Sequence, residues 1–423
     1  MDSLRNIVVS LGLLPAYHLF LAYFGAFLYG FPSQKLIVIG VTGTKGKSST
    51  TEMITAILEE AGYTVALLNS IRIKVGAESK PNTMRMSMPG RMYIQRFLAE
   101  ALKKGCTAVV LEMTSEGARQ YRHRAIALNA LVFTNLAPEH IESHGSYEAY
   151  ADAKFSLGLS LVQSSKRPRI MVANANDAQG IRYLALPVES PIGFAQQNFA
   201  PCESNDRSGY FTLEQTRVTI PLPGDFSLQN GIAAALVTRA LGVAPATIAL
   251  ALGKVSIIPG RAQRIEAGQD FTVIVDYAHT PDSLEALYKA YSIPSTTVGV
   301  KRKLVCVLGS TGGGRDVWKR PVMGGVAEKY CDHVILTNED PYDEKPEDIV
   351  HALADGMKIK PEIIMDRRLA IAKAISLAHT GDAVLITGKG TDPNIAGPGG
   401  TYQPWSDAAV AREEIAKCLQ ASV

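Results

Sequence analysis

The sequence predicts an α/β protein built on mainly parallel sheets, and three observations carry that prediction. From Leu36 onward, short apolar runs alternate with helical runs, the pattern of parallel strands joined by crossover helices that cover both sheet faces. The first apolar run feeds a glycine-rich turn, IGVTGTKGKSSTT at 39–51, which opens a helix. The alternation pauses near a turn at Ile257, Pro259 and Gly260 and then resumes, so a second, Rossmann-like α/β unit follows the first.

In the first unit the expected strands are Leu36–Val41, Val65–Leu68, Ala108–Glu112 and Ala130–Asn135, with helices at Thr50–Glu60 and Met92–Lys103. Residues 168–225 carry short strands and polar turns and read as a small β-rich edge of the same unit, closed by a helix at Leu228–Leu241. The second unit contributes strands at Thr272–Asp276, Leu304–Gly309, His333–Asn338 and Ala383–Gly388. The expected divisions are an apolar helical segment at 1–34, a central P-loop-type unit at 35–258 and a C-terminal unit at 259–423.

Composition narrows the class. The 423 residues suffice for two or three packed units, and 47% hydrophobic with 20% charged residues is the balance of an ordered globular protein. A net charge of +3 with no basic stripe interleaved with aromatics gives no expectation of nucleic-acid binding. The five cysteines lack CxxC pairing, which suggests neither a zinc site nor a disulfide framework and fits a reducing cytosol.

The stretch from Ile7 to Phe31 holds no acid, lysine or arginine over 25 residues. As a helix it would extend about 37 Å against a hydrocarbon core of about 30 Å. Membrane contact, spanning or lying in the interface, is therefore expected ahead of docking on the protein's own apolar surface, and a nucleotide-using domain would place the protein in the cytoplasm at the inner membrane face.

The glycine-rich turn carries the first chemistry. Gly43 and Gly46 let backbone N–H groups curl round an oxyanion, the helix start adds partial positive charge, Lys47 reaches terminal phosphates and Ser48 offers a hydroxyl to Mg²⁺. The expected ligand is a nucleoside triphosphate. Val41 stands where the common phosphate loop has its first glycine, which weighs against a generic kinase or GTPase.

Four further segments place polar groups past strand ends, where open α/β sheets build sites. They are VVLEMTSEGARQYRH with Glu112 and Arg122, FTNLAPEHIESHGSYEAYADAKFSL with Asn135, His140, His144 and Lys154, IVDYAHTPDSL with Asp276 and His279, and GSTGGGRDVWKRP with Arg315. Singly each is weak; Ser48, Glu112 and one histidine together would give Mg²⁺ two oxygen ligands and an imidazole.

From about Lys35 to the C-terminus the chain resembles the Mur ligases, closest to the branch that adds the third amino acid of the muramoyl peptide. GTKGKSS resembles the family's GTNGKTT, EMTSEGARQYR resembles EVSSHGLVQHR, and PGRAQRIE, DYAHTPDSL, GSTGGGRDVWKRP and GDAVLITGKGTD follow in family order. The resemblance implies ATP-dependent amide synthesis through an acyl phosphate, with two Mg²⁺, a muramoyl-peptide acceptor and an incoming amino acid. It implies that Gly43, Thr44, Lys45, Gly46, Lys47, Ser48 and Ser49 cradle the phosphates, with Asn135, Asn230 and Arg261 also on the nucleotide. Ser48, Glu112 and His140 would support Mg²⁺, and Lys154 would match a carbamylated lysine holding the second ion. Asp276 and His279 would face the nucleotide from the C-terminal unit, while Ser87, Thr114 and Arg122 would grip the acceptor. Arg315, Asp340, Gly388 and Asp392 would receive the amino acid.

Three departures stand against the family pattern. Only about 35 residues precede the central unit where relatives carry a UDP-binding domain, so a lipid-linked or otherwise anchored acceptor is an expectation. The family's DNPR is Glu339-Asp340-Pro341-Tyr342, and Tyr342 cannot pair bidentately with a distal carboxylate. The family's GKGHE is Gly388-Lys389-Gly390-Thr391-Asp392, where Asp392 can accept a distal ammonium at shorter reach, so lysine, diaminopimelate and other diamino acids stay open. The alternatives are a related ligase with a folate-polyglutamate or cyanophycin-type acceptor, or a non-catalytic membrane-associated nucleotide-binding regulator.

Overall fold

The structure is a computed structural model that describes residues 14–84, 86–292 and 302–421. Of the apolar segment at 7–31, residues 7–13 lie outside the described residues.

The first sheet has eight strands: β1 (Ile37–Thr42), β2 (Val65–Leu68), β3 (Arg72–Val75), β4 (Glu78–Pro81), β5 (Ala108–Glu112), β6 (Ala130–Phe133), β7 (Ile170–Asn174) and β8 (Ser190–Phe194). Their order is β4-β3-β2-β5-β1-β6-β7-β8, parallel from β2 through β8, with β3 and β4 antiparallel at one edge. Near-continuous apolar runs such as Ala108–Leu111 are buried because helices cover both faces. Register then sets the site: β1 lies between β5 and β6, with Val41 opposite Glu112 and Thr42 opposite Phe133. The loops that follow all three strands therefore meet at one edge of the sheet.

Most strand ends differ from the sequence reading by one or two residues, and two larger differences have a physical cause. The phosphate-loop helix starts at Lys47, earlier than Thr50, because Gly46 at φ 81° turns the chain directly into it. Residues 168–225 divide, with β7 and β8 extending the main sheet. Only β9 (Glu203–Ser204), β10 (Gly209–Leu213) and β11 (Thr216–Ile220) form a separate antiparallel sheet. Its inner residues Phe211, Val218 and Ile220 share a core with Leu228 and Ile232 of the helix Gly224–Ala240.

The second unit is a six-stranded sheet of β12 (Gln263–Arg264), β13 (Thr272–Asp276), β14 (Leu304–Leu308), β15 (His333–Leu336), β16 (Glu362–Ile363) and β17 (Ala383–Thr387). The order is β12-β13-β17-β14-β15-β16, parallel except for β12. A hairpin of β18 (Asn394–Ala396) and β19 (Tyr402–Pro404) follows. The expectation of no disulfide is corrected here: Cys306 and Cys331 are joined, with Cα atoms 6.1 Å apart. The crossover helix Lys319–Tyr330 returns the chain to the start of β15 beside β14, a proximity that 25 residues of separation conceal.

The N-terminal helix Leu14–Leu28 docks its small residues Ala22, Gly25 and Ala26 on the protein and leaves Phe20, Phe24 and Phe27 exposed. Among the described residues no helix is long and apolar enough to cross a membrane.

Candidate active site

A cleft of about 480 Å³ opens between the two units at the ends of β1, β5, β6 and β13. Its floor is the phosphate loop. A Cβ on Gly43 would lie 2.0 Å from Thr134 Oγ1 and one on Gly46 2.2 Å from Asn230 Oδ1, so close approach requires glycine at both positions. Asn135 Oδ1 accepts the Lys45 N–H at 2.9 Å, and Thr44 Oγ1 meets the Tyr150 hydroxyl at 3.0 Å. Ser49 lines the same floor.

Two lysines converge on one carbonyl: Lys47 Nζ donates to Gly43 O at 3.0 Å and Lys154 Nζ donates to it at 2.7 Å. Burial pushes both amines down, most strongly Lys154, where the Lys47 charge adds to the effect. Lys154 is almost fully buried beneath the loop.

Ser48 Oγ donates to Glu112 Oε2 at 2.8 Å, and the Ser70 N–H donates to the same oxygen at 3.1 Å. Arg261 crosses from the second unit to reach Ser48 Oγ at 3.3 Å and Ser70 Oγ at 3.2 Å. A hydroxyl and a carboxylate side by side are hard oxygen donors. Among the described residues no group of three or more His, Cys, Asp or Glu is arranged to hold a metal ion. That sparse donor set fits Mg²⁺, which takes its remaining ligands from phosphate and water.

Glu139 is the electrostatic hub. It is buried, and its Oε1 accepts Lys45 Nζ at 2.9 Å and faces His279 Nε2 at 2.9 Å. Burial raises its pKa, but Lys45 and His279 outweigh that and hold the carboxyl well below its usual range. Burial and the Lys45 charge in turn push His279 down to about 4. Next in sequence, exposed His140 has its backbone N–H bound by Asp316. Asp276 accepts the N–H groups of Ala262 and Ala278, which fixes the start of the second unit, and burial raises its pKa.

Ser87 and Thr114 line the cleft beside Glu112, Thr114 also capping the helix Ser115–Arg119. Arg122 lies behind them, donating to Met88 O and to Gln120 Oε1. In the second unit, the Arg315 guanidinium stands 5.1 Å from the Tyr342 ring centre. Asp340 takes both 2.7 Å bonds from Lys389 Nζ, and Asp392 lies 3.1 Å from the same amine. Gly388 abuts the buried Glu339 carboxyl, which burial and then Asp340 push up.

The cleft thus gathers the phosphate loop, Glu112, His140, Asn135, Asn230, Arg261, Asp276 and His279 with Ser87 and Thr114. Arg122, Arg315, Asp340, Gly388 and Asp392 are not on its wall. The sequence reading missed Glu139, Asp316, Ser70 and Tyr150. Glu139 adjoins a singled-out histidine, Asp316 adjoins Arg315 and Tyr150 stands four residues before Lys154, so all three lay within quoted segments; Ser70 carried no signal.

A phosphate loop faced across a cleft by a second α/β unit, whose arginine reaches the loop's serine, defines a two-unit nucleotide-binding enzyme. The comparisons agree. Residues 41–238 match the Mur ligase middle domain, and residues 260–390 match the Mur ligase, glutamate ligase domain. The UDP-N-acetylmuramyl-tripeptide synthetase of Roseiflexus sp. (strain RS-1) is 36% identical over 94% of this chain and 82% of its own. The UDP-N-acetylmuramoyl-L-alanyl-D-glutamate-2,6-diaminopimelate ligase of Aquifex aeolicus (strain VF5) is 36% identical over 91% and 78%. A solved UDP-N-acetylmuramoyl-L-alanyl-D-glutamate-2,6-diaminopimelate ligase has a TM-score of 0.60 at 27% identity, covering 90% of this chain and 78% of that one. Mycobacterium tuberculosis folylpolyglutamate synthase complexed with ADP, at 17% identity and a TM-score of 0.69, covers 92% and 96% and shares the fold. The chain belongs to the Mur ligase family. It is an ATP-dependent ligase that forms amide bonds in peptidoglycan precursor synthesis.

Proposed function

We propose that this ligase joins the carboxylate of a muramoyl-peptide acceptor to the α-amine of an incoming amino acid, working as a central ATP-binding unit at 35–258 and a closing unit at 259–423. The reading is carried by Arg261, which comes from the second unit yet lies against Ser48 and Ser70 at the phosphate loop. The tripeptide-synthetase and diaminopimelate-ligase names of the relatives support it.

In this mechanism the phosphate loop holds the triphosphate, Lys47 leaves the Gly43 carbonyl for the γ-phosphate, and the acceptor carboxylate attacks the γ-phosphorus in line, breaking its bond to the β–γ bridging oxygen to give an acyl phosphate and ADP. The amine then displaces phosphate through a tetrahedral intermediate, while closure excludes the water that would hydrolyse the acyl phosphate. Ser48, Glu112 and His140 would hold one Mg²⁺, and Lys154, once carbamylated, would help hold a second. Such ions supply charge neutralisation on the phosphates. Its lowered pKa supports the Lys154 role, because the neutral amine is the form that takes up carbon dioxide. Asn230 and His279 would contact the nucleotide, Ser87, Thr114 and Arg122 the acceptor, and Arg315, Asp340, Gly388 and Asp392 the amino acid. Contact of the apolar N-terminal segment with the cytoplasmic membrane face is part of the proposal, supported by the exposed Phe20, Phe24 and Phe27.

The test is ADP release by the full chain with ATP, Mg²⁺ and UDP-N-acetylmuramoyl-L-Ala-D-Glu, with diaminopimelate and lysine supplied separately. Turnover that depends on one amino acid is expected. ATP hydrolysis indifferent to every amino acid would sink the reading.

A further inference from the structure

Two guanidinium groups at the acceptor end have neutral partners. Arg91 Nη2 donates to the Gln120 carbonyl at 2.5 Å, and Arg122 Nη2 donates to the Gln120 side-chain oxygen at 2.8 Å, so both converge on one uncharged residue. The neighbouring carboxylate, Glu116, attracts the Arg122 charge through space, but its hydrogen bonds go to Arg119 at 3.0 Å and Gln120 at 2.7 Å. Nε of Arg91 and of Arg122 is buried with no hydrogen-bond partner among the described residues. Two half-buried cations side by side repel each other, and burial together with the Arg122 charge lowers the Arg91 pKa. An anion would relieve both costs, and forked guanidinium groups match the geometry of a phosphate.

Beside this pair lies the N-terminal helix Leu14–Leu28, whose first turn brings Tyr17, three residues before Phe20, within electrostatic reach of Arg91. Its Gly25 approaches Met92, the residue after Arg91, so closely that a Cβ would lie 2.8 Å from the Met92 sulfur. The opposite face carries Phe20, Tyr23, Phe24, Phe27 and Leu28, a single stripe at helical spacing with Phe27 71% exposed. The helix has no charged residue. Small residues inward and aromatics outward invert the usual pattern of a surface helix and mark an interaction face.

We infer that the Arg91–Arg122 pair and the aromatic stripe form one amphiphilic site for a lipid bearing a phosphate or diphosphate ester, the anion on the arginines and the apolar chain along the helix. A neutral bilayer would leave the arginines unmatched, and a soluble phosphate would leave the stripe bare. A second copy of the chain docking stripe to stripe would bring like charges together. The site adjoins the acceptor end of the cleft: Arg122 also donates to the carbonyl of Met88, one residue after Ser87. The lipid is accordingly read as the acceptor's anchor, and only that assignment rests on the ligase reading.

The test is flotation of the full chain with phosphatidylcholine vesicles, with and without farnesyl diphosphate, beside thermal-shift titration with inorganic diphosphate alone. Binding about tenfold tighter with the diphosphate lipid is expected. Arg91→Gln should remove that increment, and Phe20→Ser with Phe27→Ser should weaken binding to both vesicle types. Each variant is first shown to keep wild-type ATP binding. Equal binding with and without the diphosphate lipid, or an increment that survives Arg91→Gln, overturns the proposal. Arg91-dependent stabilisation by inorganic diphosphate without vesicle binding overturns the lipid assignment. Flotation needs no turnover, so failure of the ligase assay is read separately.

Discussion

The carboxylate of Asp316 accepts the backbone N–H groups of His140 at 2.9 Å and of Ile141 at 3.2 Å, joining the second α/β unit to the loop after β6. Both Asp316 (φ 45°) and His140 (φ 58°) occupy the left-handed region. Non-glycine residues there cost of order 1–3 kcal/mol each and persist where their surroundings hold them. Here each holds the other, so the conformation of His140 depends on this contact from the second unit. Asp316→Ala should lower kcat for ADP release by about 10²-fold while the KM for ATP moves less than about threefold. Asp316→Asn, which can still accept one N–H, should fall between. A wild-type kcat in the alanine variant would refute this role.

Lys154 shares the Gly43 carbonyl with Lys47 in a buried setting that disfavours two positive charges. Lys154→Ala should reduce amide formation by at least about 10³-fold, the scale of losing a major electrostatic group at the reacting centre. Added formate or acetate should restore part of the rate. Rescue by small amines instead of small carboxylates would mean that the working group is a cation.

Lys389 and Asp340 form a buried ion pair, with a third bond from the Ala396 N–H to the Asp340 carboxylate at 2.7 Å. Removing Lys389 takes away the buried amine that both Asp340 and Asp392 approach. Lys389→Met should cost about 3–5 kcal/mol in the urea unfolding of the second unit, and adding Asp340→Asn should return part of it. A double-variant loss equal to the sum of the two single losses would show that the charges act independently.

His123 is buried, and neither ring nitrogen has a hydrogen-bond partner among the described residues. Burial, aided by Arg124, pushes its pKa down to about 3. Its unfolded value is about 6.5. Between those values the unfolded chain binds the extra proton, so stability falls as pH drops from about 6.5 toward 3, by up to about 3 kcal/mol near pH 4. His123→Phe should flatten the pH dependence of the urea midpoint across that window. Parallel curves for the two proteins would exclude His123 as the cause.

Much of this was legible in the chain. Strand runs such as Val65–Leu68, Ala108–Glu112 and Thr272–Asp276 coincide with the observed strands because buried parallel strands are continuous apolar runs ended by polar residues. The phosphate loop was equally plain, since closely approached backbone at Gly43 and Gly46 leaves glycine as the residue that fits.

What the sequence determined by itself is local: where strands end, where an anion can be cradled, and which polar residues follow each strand. Tertiary structure alone decided which of those residues meet. Glu139 with His279, His140 with Asp316, and Ser48 with Arg261 are 140, 176 and 213 residues apart. The pairing of Cys306 with Cys331 and the arginines converging on Gln120 likewise required folded helices to return the chain. The physical reason is range: backbone sterics and apolar periodicity act within a few residues, whereas hydrogen bonds and charge pairs join groups that only the packed sheets bring together.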